Sequence, residues 1–337
     1  MSSTVSVGSR PVKIGRAGLS APPAAYGAAA LGNLYQALDE REWPEIVPAA
    51  WAGGVRYFDV APHYGLGLAE RRLGESLREL PRDEYIVSTK VGRLLVPQDA
   101  AGRTDIDNLF DVPADHRRVR DYSRDGVLRA VEQSLDRLGL DRIDIALVHD
   151  PDDHEREALE GAFPALSELR DQGVIRSFGA GMNQSAMLAR FVRETDADVM
   201  MVAGRWTLLD RSAADDLLPL AGEHGVTVLA AAVFNSGILA TDAPGQGATF
   251  DYGPADRAII ERAQAIARVA HRHGTTLPEL AAQYPLTHPA VAAVVMGGAS
   301  AEQVARNSGL IARPVAEEAW DELRDRGLIG REGHPLR

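Results

Sequence analysis

A closed (β/α)8 TIM barrel is the fold this sequence predicts, and three observations predict it. Short apolar runs alternate with helix-patterned segments eight times along the chain, which implies a parallel sheet. Eight such units in roughly 300 residues suit a barrel better than an open doubly wound sheet. The open sheet would need a Gly-x-Gly-x-x-Gly turn after its first strand, and Gly27–Asn33 does not supply it.

In chain order, residues 1–10 read as a disordered tail ahead of a single domain over 11–337. Pro11–Ala21, with Val12 and Ile14 alternating among glycines, reads as a short N-terminal hairpin. The eight strands are expected at Ala24–Ala29, Tyr57–Asp59, Ile86–Lys90, Ile143–His149, Ile175–Gly181, Val199–Ala203, Val226–Val233 and Val291–Met296. Helices are expected between them, the first over Asp39–Ala52. Leu73, Leu77 and Leu80 give the second its helical spacing, and Ser123 is placed to cap the third. A helix over Glu155–Gln172 follows the fourth strand. After the third strand comes a long excursion, Val91–Tyr122, rich in Asp, Arg, Gly and Pro. Loops of that length in compact domains are more often functional lids than neutral connections.

The chain has 337 residues with 45% hydrophobic and 25% charged side chains, ample material for a core. Its net charge of −12 argues against nucleic acid or an acidic membrane surface as partner. With no cysteine, disulfides, thiolate metal sites and cysteine nucleophiles are excluded. His271 and His273 are two apart on an expected helix and share no face, so no metal site is expected. No apolar run is long enough to span a bilayer, and the expected location is cytoplasmic. A small-molecule substrate and a monomer or small homo-oligomer complete the expectation. Of 36 basic residues only Lys13 and Lys90 are lysines. Lys90 ends an apolar strand, where a compact ammonium with a movable pKa differs chemically from a guanidinium.

The candidate chemistry gathers at strand ends. Tyr57-Phe-Asp-Val60 places Asp59 at the end of the second strand, and Tyr64 follows in a loop flanked by Pro62 and Gly65. Lys90 ends the third strand and His149 the fourth. In a barrel those ends form the active-site face. A phenol has a reference pKa of about 10, and an adjacent ammonium favours the phenolate. Lys90 is therefore expected to lower the pKa of Tyr64 while Asp59 holds Lys90. A neutral His149 would orient a substrate oxygen. Such a group suits proton transfer at a carbonyl or alcohol coupled to hydride transfer.

Phe-Asp-x-Ala-x-x-Tyr-Gly, Ser-Thr-Lys and Leu-Val-His agree together, and by them nearly the whole chain resembles the aldo-keto reductase family. The resemblance implies a barrel oxidoreductase that binds NAD(P) without a Rossmann domain. Its Asp/Tyr/Lys/His tetrad would be Asp59, Tyr64, Lys90 and His149, with Tyr64 as general acid/base. The family's Ser-Asn pair for the nicotinamide carboxamide appears as Met182-Asn183, keeping only Asn183, and the family's Gln after strand six appears as Ala203. Phe234 would stack on the nicotinamide, with Ser236, Gly237 and Leu239 continuing the cofactor loop. Gly297, Gly298, Gln303, Arg306 and Asn307 match the adenosine-phosphate segment. NADP-preferring members usually place Lys and Arg where Gly297 and Gln303 stand, so NAD is expected to be preferred, with NADP possible if Arg306 reaches the 2′-phosphate.

Further motifs, including Lys90-Val-Gly-Arg-Leu-Leu95, His149-Asp-Pro-Asp152 and Ala203-Gly-Arg-Trp206, are most similar to the family's aldose 1-dehydrogenases and pyridoxal 4-dehydrogenase. They imply oxidation of an L-fucose, L-galactose or D-arabinose type sugar at C1 to the lactone. The alternatives are pyridoxal oxidation, general aldehyde or ketone reduction, and a cofactor-sensing regulatory subunit of the same fold. Trp206 has two readings, a sugar-stacking aromatic or a plug at the barrel rim. Phe234 suits core packing equally well. Arg120 and Tyr122 are candidate substrate contacts, and His63 reads as a structural or rim residue.

Overall fold

The computed structural model describes residues 10–330. Residues 1–9, most of the expected tail, and 331–337 lie outside the described residues.

Eight parallel strands close into a barrel. They are β1 (Ala24–Gly27), β2 (Tyr57–Asp59), β3 (Ile86–Val91), β4 (Ile145–His149), β5 (Ser177–Met182), β6 (Val199–Ala203), β7 (Thr227–Ala231) and β8 (Val291–Met296). The ring closes where β8 pairs with β1, Val294 opposite Ala24. Side chains in a strand alternate between two faces. Tyr57, Ile86, Ile145, Leu147, Val199, Met201, Leu229 and Val295 share an inner cluster. Phe58, Val87, Ala146 and Val148 belong to the larger layer between strands and helices. Counting by twos, the inner face of β2 ends at Asp59, that of β3 runs Ile86, Ser88, Lys90, and that of β4 ends at His149. The polar residues occupy the last inward positions, all at one mouth.

The opposite mouth is stoppered by the expected hairpin, Val12–Ile14 paired with Leu19–Ala21. Ile14, Leu19 and Ala21 enter the inner cluster. The Gly15 amide donates to Thr227 Oγ1 at the start of β7, at 3.0 Å.

The first five helices of 7 or more residues are α1 (Ile46–Ala52), α2 (Leu68–Leu77), α3 (Arg124–Leu138), α4 (Phe163–Asp171) and α5 (Ser185–Glu194). The next are α6 (Leu217–His224), α7 (Arg257–Arg272), α8 (Leu277–Gln283), α9 (Ala301–Gly309) and α10 (Glu317–Asp325). Ser123 caps α3 as expected, its hydroxyl accepting from the Gly126 amide at 3.1 Å. Helices α2 and α3 approach through Gly74, where a Cβ would lie 1.9 Å from the Leu138 carbonyl oxygen.

Several boundaries differ from expectation. β1 ends at Gly27 and a 3-10 turn, Ala28–Gly32, follows. The first helix begins only after a 3-10 turn at Trp43–Glu45. The segment expected as one helix over Glu155–Gln172 contains a π-helical turn, Ala158–Ala162. There Gly161 meets the Tyr122 carbonyl oxygen, which would stand 2.5 Å from a Cβ. The long excursion is not all loop. Arg93–Pro97 and His116–Arg120 form an antiparallel ribbon, Leu94 opposite Val119.

Candidate active site

Lys90 and Asp59 form the centre. The Lys90 ammonium donates to Asp59 Oδ2 at 2.6 Å and to the Val60 carbonyl at 3.1 Å. Ser88, two residues before Lys90 on the same face, donates to the other Asp59 oxygen at 2.6 Å and accepts from the Tyr57 hydroxyl at 3.0 Å. Both carboxylate oxygens are thus engaged, so the aspartate is fixed before any substrate arrives.

Tyr64 reaches this pair from the loop after β2. Its ring centroid lies 5.0 Å from Lys90 Nζ. The loop is seated by backbone contact: a Cβ on Gly32 would lie 2.7 Å from the Tyr64 carbonyl carbon, so only glycine fits there. Burial would strip the Lys90 proton, but Asp59 and Tyr64 outweigh it and raise the pKa. Burial pushes the Tyr64 phenol above its ordinary value, Lys90 pulls it down and Asp59 pushes it up again. The net direction is upward, opposite to the expectation from Lys90 alone. The physical reason is that desolvation of the buried phenol, with Asp59 adding to it, outweighs the pull of Lys90. In the protein alone Tyr64 is a neutral phenol, able to donate a proton.

His149 closes the group, its ring centroid 5.9 Å from that of Tyr64. Burial, then Arg93 and Lys90, holds its pKa well below the usual imidazole value. It is neutral and hydrogen-bonds without carrying charge. Its Nδ1 is buried with no hydrogen-bond partner among the described residues. His63 lies edge-on to it at 5.8 Å, with its own pKa lowered to about 2, chiefly by burial. Part of the excursion after β3 packs against the site. Phe110 packs 6.0 Å from Tyr64 and 5.4 Å from His63. Arg118 fixes this segment by donating to Asp105 at 2.5 and 2.8 Å and to the His63 carbonyl at 2.8 Å.

The four tetrad residues therefore come together. Of the expected substrate contacts, Trp206 and Tyr122 turn inward and Arg120 stays at the rim beside Asp150. Trp206 is only 1% exposed, donates its indole N–H to the Pro285 carbonyl at 3.0 Å and packs against Tyr284 at 5.0 Å. It is a core plug and offers no face to a sugar. Tyr122 is buried too, its hydroxyl donating to the His149 and Asp150 carbonyls at 3.1 and 3.3 Å. It positions the end of β4. Arg120 is exposed at the rim and reaches the Asp150 carbonyl at 3.4 Å.

Around the other half of the mouth, Asn183 donates to the Ala203 carbonyl at 3.0 Å, bracing β5 against β6. Phe234 is half-buried at the end of β7, and Leu239 is fully buried, supporting the loop as core. Asn235, Ser236 and Gly237 take successive positive φ values of 44°, 58° and 100°. The Asn235 and Gly237 amides donate to the Ala232 and Phe234 carbonyls at 2.9 and 3.0 Å, closing this turn on itself. The Asn235 Oδ1 is buried with no hydrogen-bond partner among the described residues. Beside β8, a Cβ on Gly298 would stand 2.6 Å from the Val304 side chain, so the backbone hugs the start of α9. Asn307 donates to the Gly297 carbonyl at 2.8 Å, and Gln303 accepts from the Ala299 amide at 2.9 Å. Arg306 is exposed, its guanidinium 3.4 Å from Asn307 Oδ1. This arc suits a dinucleotide lying from the tetrad to α9.

Sequence reasoning did not single out Ser88, Arg93, Phe110, Asp150 or Asn235. Ser88 was within reach, being an inward polar residue two before Lys90. A cleft of about 660 Å3 opens at the other mouth, lined by Arg16, Arg142, Arg170 and Arg176. Arg16 and Arg170 bridge to Asp196 and Arg142 to Asp83, so it is largely self-neutralised.

With this fold and site, the match of residues 24–326 to the aldo/keto reductase family model settles the class: the chain belongs to that family and is an NAD(P)-dependent oxidoreductase. It is 44% identical over 316 residues to a D-threo-aldose 1-dehydrogenase of a Pseudomonas species, covering 93% of this chain and 96% of that protein. It is 38% identical over 334 residues to a pyridoxal 4-dehydrogenase of Microbacterium luteolum, covering 94% and 97%. A glycerol dehydrogenase structure from Gluconobacter oxydans shares the fold with a TM-score of 0.77 at 22% identity, covering 97% of both chains.

Proposed function

We propose that the protein oxidises the cyclic hemiacetal of an aldose at C1 to the lactone, with NAD preferred over NADP. One observation carries the reading: a complete tetrad, centred on the fully engaged Lys90–Asp59 pair, in a chain 44% identical to an aldose 1-dehydrogenase. When bound, the oxidised nicotinamide supplies a hydride acceptor. Asn183 and Phe234 would hold its ring end, Ser236 and Gly237 its phosphates, and Gly297, Gly298 and Asn307 its adenosine end.

Tyr64 takes the proton of the anomeric hydroxyl while the C1–H bond breaks and its electron pair leaves as hydride. The C1–O bond becomes the lactone carbonyl. Lys90 stabilises the phenolate that accepts this proton, Asp59 keeps Lys90 placed and charged, and neutral His149 orients the reacting oxygen. The raised phenol pKa favours the reverse, donating direction at neutral pH, so oxidation gains with alkalinity.

A second reading, pyridoxal oxidation, is favoured by the aromatic wall of Phe110 and His63 beside Tyr64, which suits a flat pyridine ring. The deciding experiment offers L-fucose, L-galactose, D-arabinose and pyridoxal with both nicotinamides and follows reduced-cofactor absorbance. Fast oxidation of an aldose supports the proposal. Silence with every aldose and pyridoxal, together with rapid reduction of simple aldehydes, would overturn it.

A further inference from the structure

Asp150, the residue after His149, is held in a manner the chemistry above does not use. Its φ is +39°, a backbone state that L residues rarely adopt. Aspartate tolerates it better than most, but the strain persists only where surroundings impose it. They do so here. Its amide donates to the Gly181 carbonyl at 3.2 Å, and its own carbonyl accepts from Tyr122 and Arg120. The turn aims the side chain back into the mouth. Asp150 Oδ2 lies 3.4 Å from His149 Nε2 and accepts from Arg93 at 2.7 Å. Oδ1 accepts no hydrogen bond from the described residues. The Asp150 side chain is 32% exposed while Arg93 is 10% exposed, so the guanidinium lies deeper than the carboxylate it holds. That carboxylate also acts electrostatically on Tyr64.

We propose that Asp150 is a specificity-determining residue whose free carboxylate oxygen accepts a hydrogen bond from a substrate hydroxyl next to the reacting carbon. The proposal rests on the sugar-oxidation reading. A carboxylate is a strong acceptor for hydroxyl donors, and charge-assisted bonds of this kind are roughly twice as strong as neutral ones. A polyol satisfies it. An unfunctionalised aldehyde covers it, removes its water and gives nothing in return, so the same group selects against that competitor. Arg93 holds the carboxylate in one orientation before binding. It supplies placement and does not touch the substrate.

The test compares full-length wild type, Asp150→Asn and Asp150→Ala in the oxidation of the preferred aldose with NAD and in the reduction of propanal with NADH, reading kcat and KM for each. The expected result is a fall of about 10- to 100-fold in the ratio of kcat/KM for aldose over propanal, carried mainly by the aldose KM. Asp150→Asn keeps the shape of the site should the alanine variant fold poorly. Arg93→Met, which frees the carboxylate without removing it, is expected to change the ratio less. A ratio within threefold of wild type in the Asp150 variants, or parallel losses on both substrates, would show that Asp150 merely braces Arg93 and would overturn the proposal. Wild type that oxidises no aldose overturns the function reading and this proposal together, so the two failures are told apart before any variant is made.

Discussion

Lys90 Nζ and Asp59 Oδ2 stand 2.6 Å apart with side chains only 2% and 4% exposed, a desolvated ion pair at the heart of the barrel mouth. Removing one member of such a pair leaves the other charged and unmatched, which typically costs about 3–5 kcal/mol. Asp59→Ala is therefore expected to lower unfolding stability by about that amount in urea titration. A loss below about 1 kcal/mol would mean that the pair is solvated in solution.

Tyr64→Phe removes the proton-transferring hydroxyl and keeps the ring that packs on Phe110. The expected outcome is a fall in kcat of about 10²- to 10⁴-fold, the usual worth of general acid/base catalysis. NADH binding, followed by fluorescence quenching, is expected to stay within threefold. A variant with near-normal turnover would remove Tyr64 from the chemistry.

Stability is expected to decline in acid. Because burial first, then Arg93 and Lys90, keeps His149 neutral in the folded chain, its folded pKa lies below the ordinary 6.5 of the unfolded chain. The unfolded state binds the extra proton as pH drops, so stability is complete above that value and shrinks below it. His149 alone contributes up to about 1.4 kcal/mol per pH unit. His63, lowered to about 2, acts in the same direction. Urea midpoints at pH 7.5 and 5.0 should therefore separate, and less so in His149→Gln. Midpoints that coincide would contradict neutral burial.

Nicotinamide choice is expected to follow from the segment at β8 and α9. Gln303 spends its side-chain oxygen on the Ala299 amide, and Gly297 carries no charge, so Arg306 is the nearby cation for a 2′-phosphate. The ratio of kcat/KM for NADP over NAD is expected to lie below one, and to drop further in Arg306→Ala. A ratio well above one would overturn NAD preference.

The barrel and its tetrad were legible because period-two burial and strand-end polarity are local properties of Tyr57–Asp59, Ile86–Lys90 and Ile145–His149. The Arg93–Pro97 and His116–Arg120 ribbon was not, because its second strand is arginine-rich and half solvated, with no alternation to betray it. Trp206 shows another limit. Which way an indole faces depends on the Pro285 carbonyl, 79 residues away in sequence. The Tyr64 proton is a third case. Order along the chain revealed the ammonium beside it, while the depth of burial that outweighs the ammonium is a property of the assembled mouth.

The hairpin that stoppers the far end of the barrel carries Lys13, which is exposed, whereas Lys90, the only other lysine, is sealed inside. Among lysine side chains, an amine-seeking dye or resin thus finds a handle at the pole opposite the chemistry. Molecules tethered there would stand on their closed base, with every catalytic opening turned toward the solution.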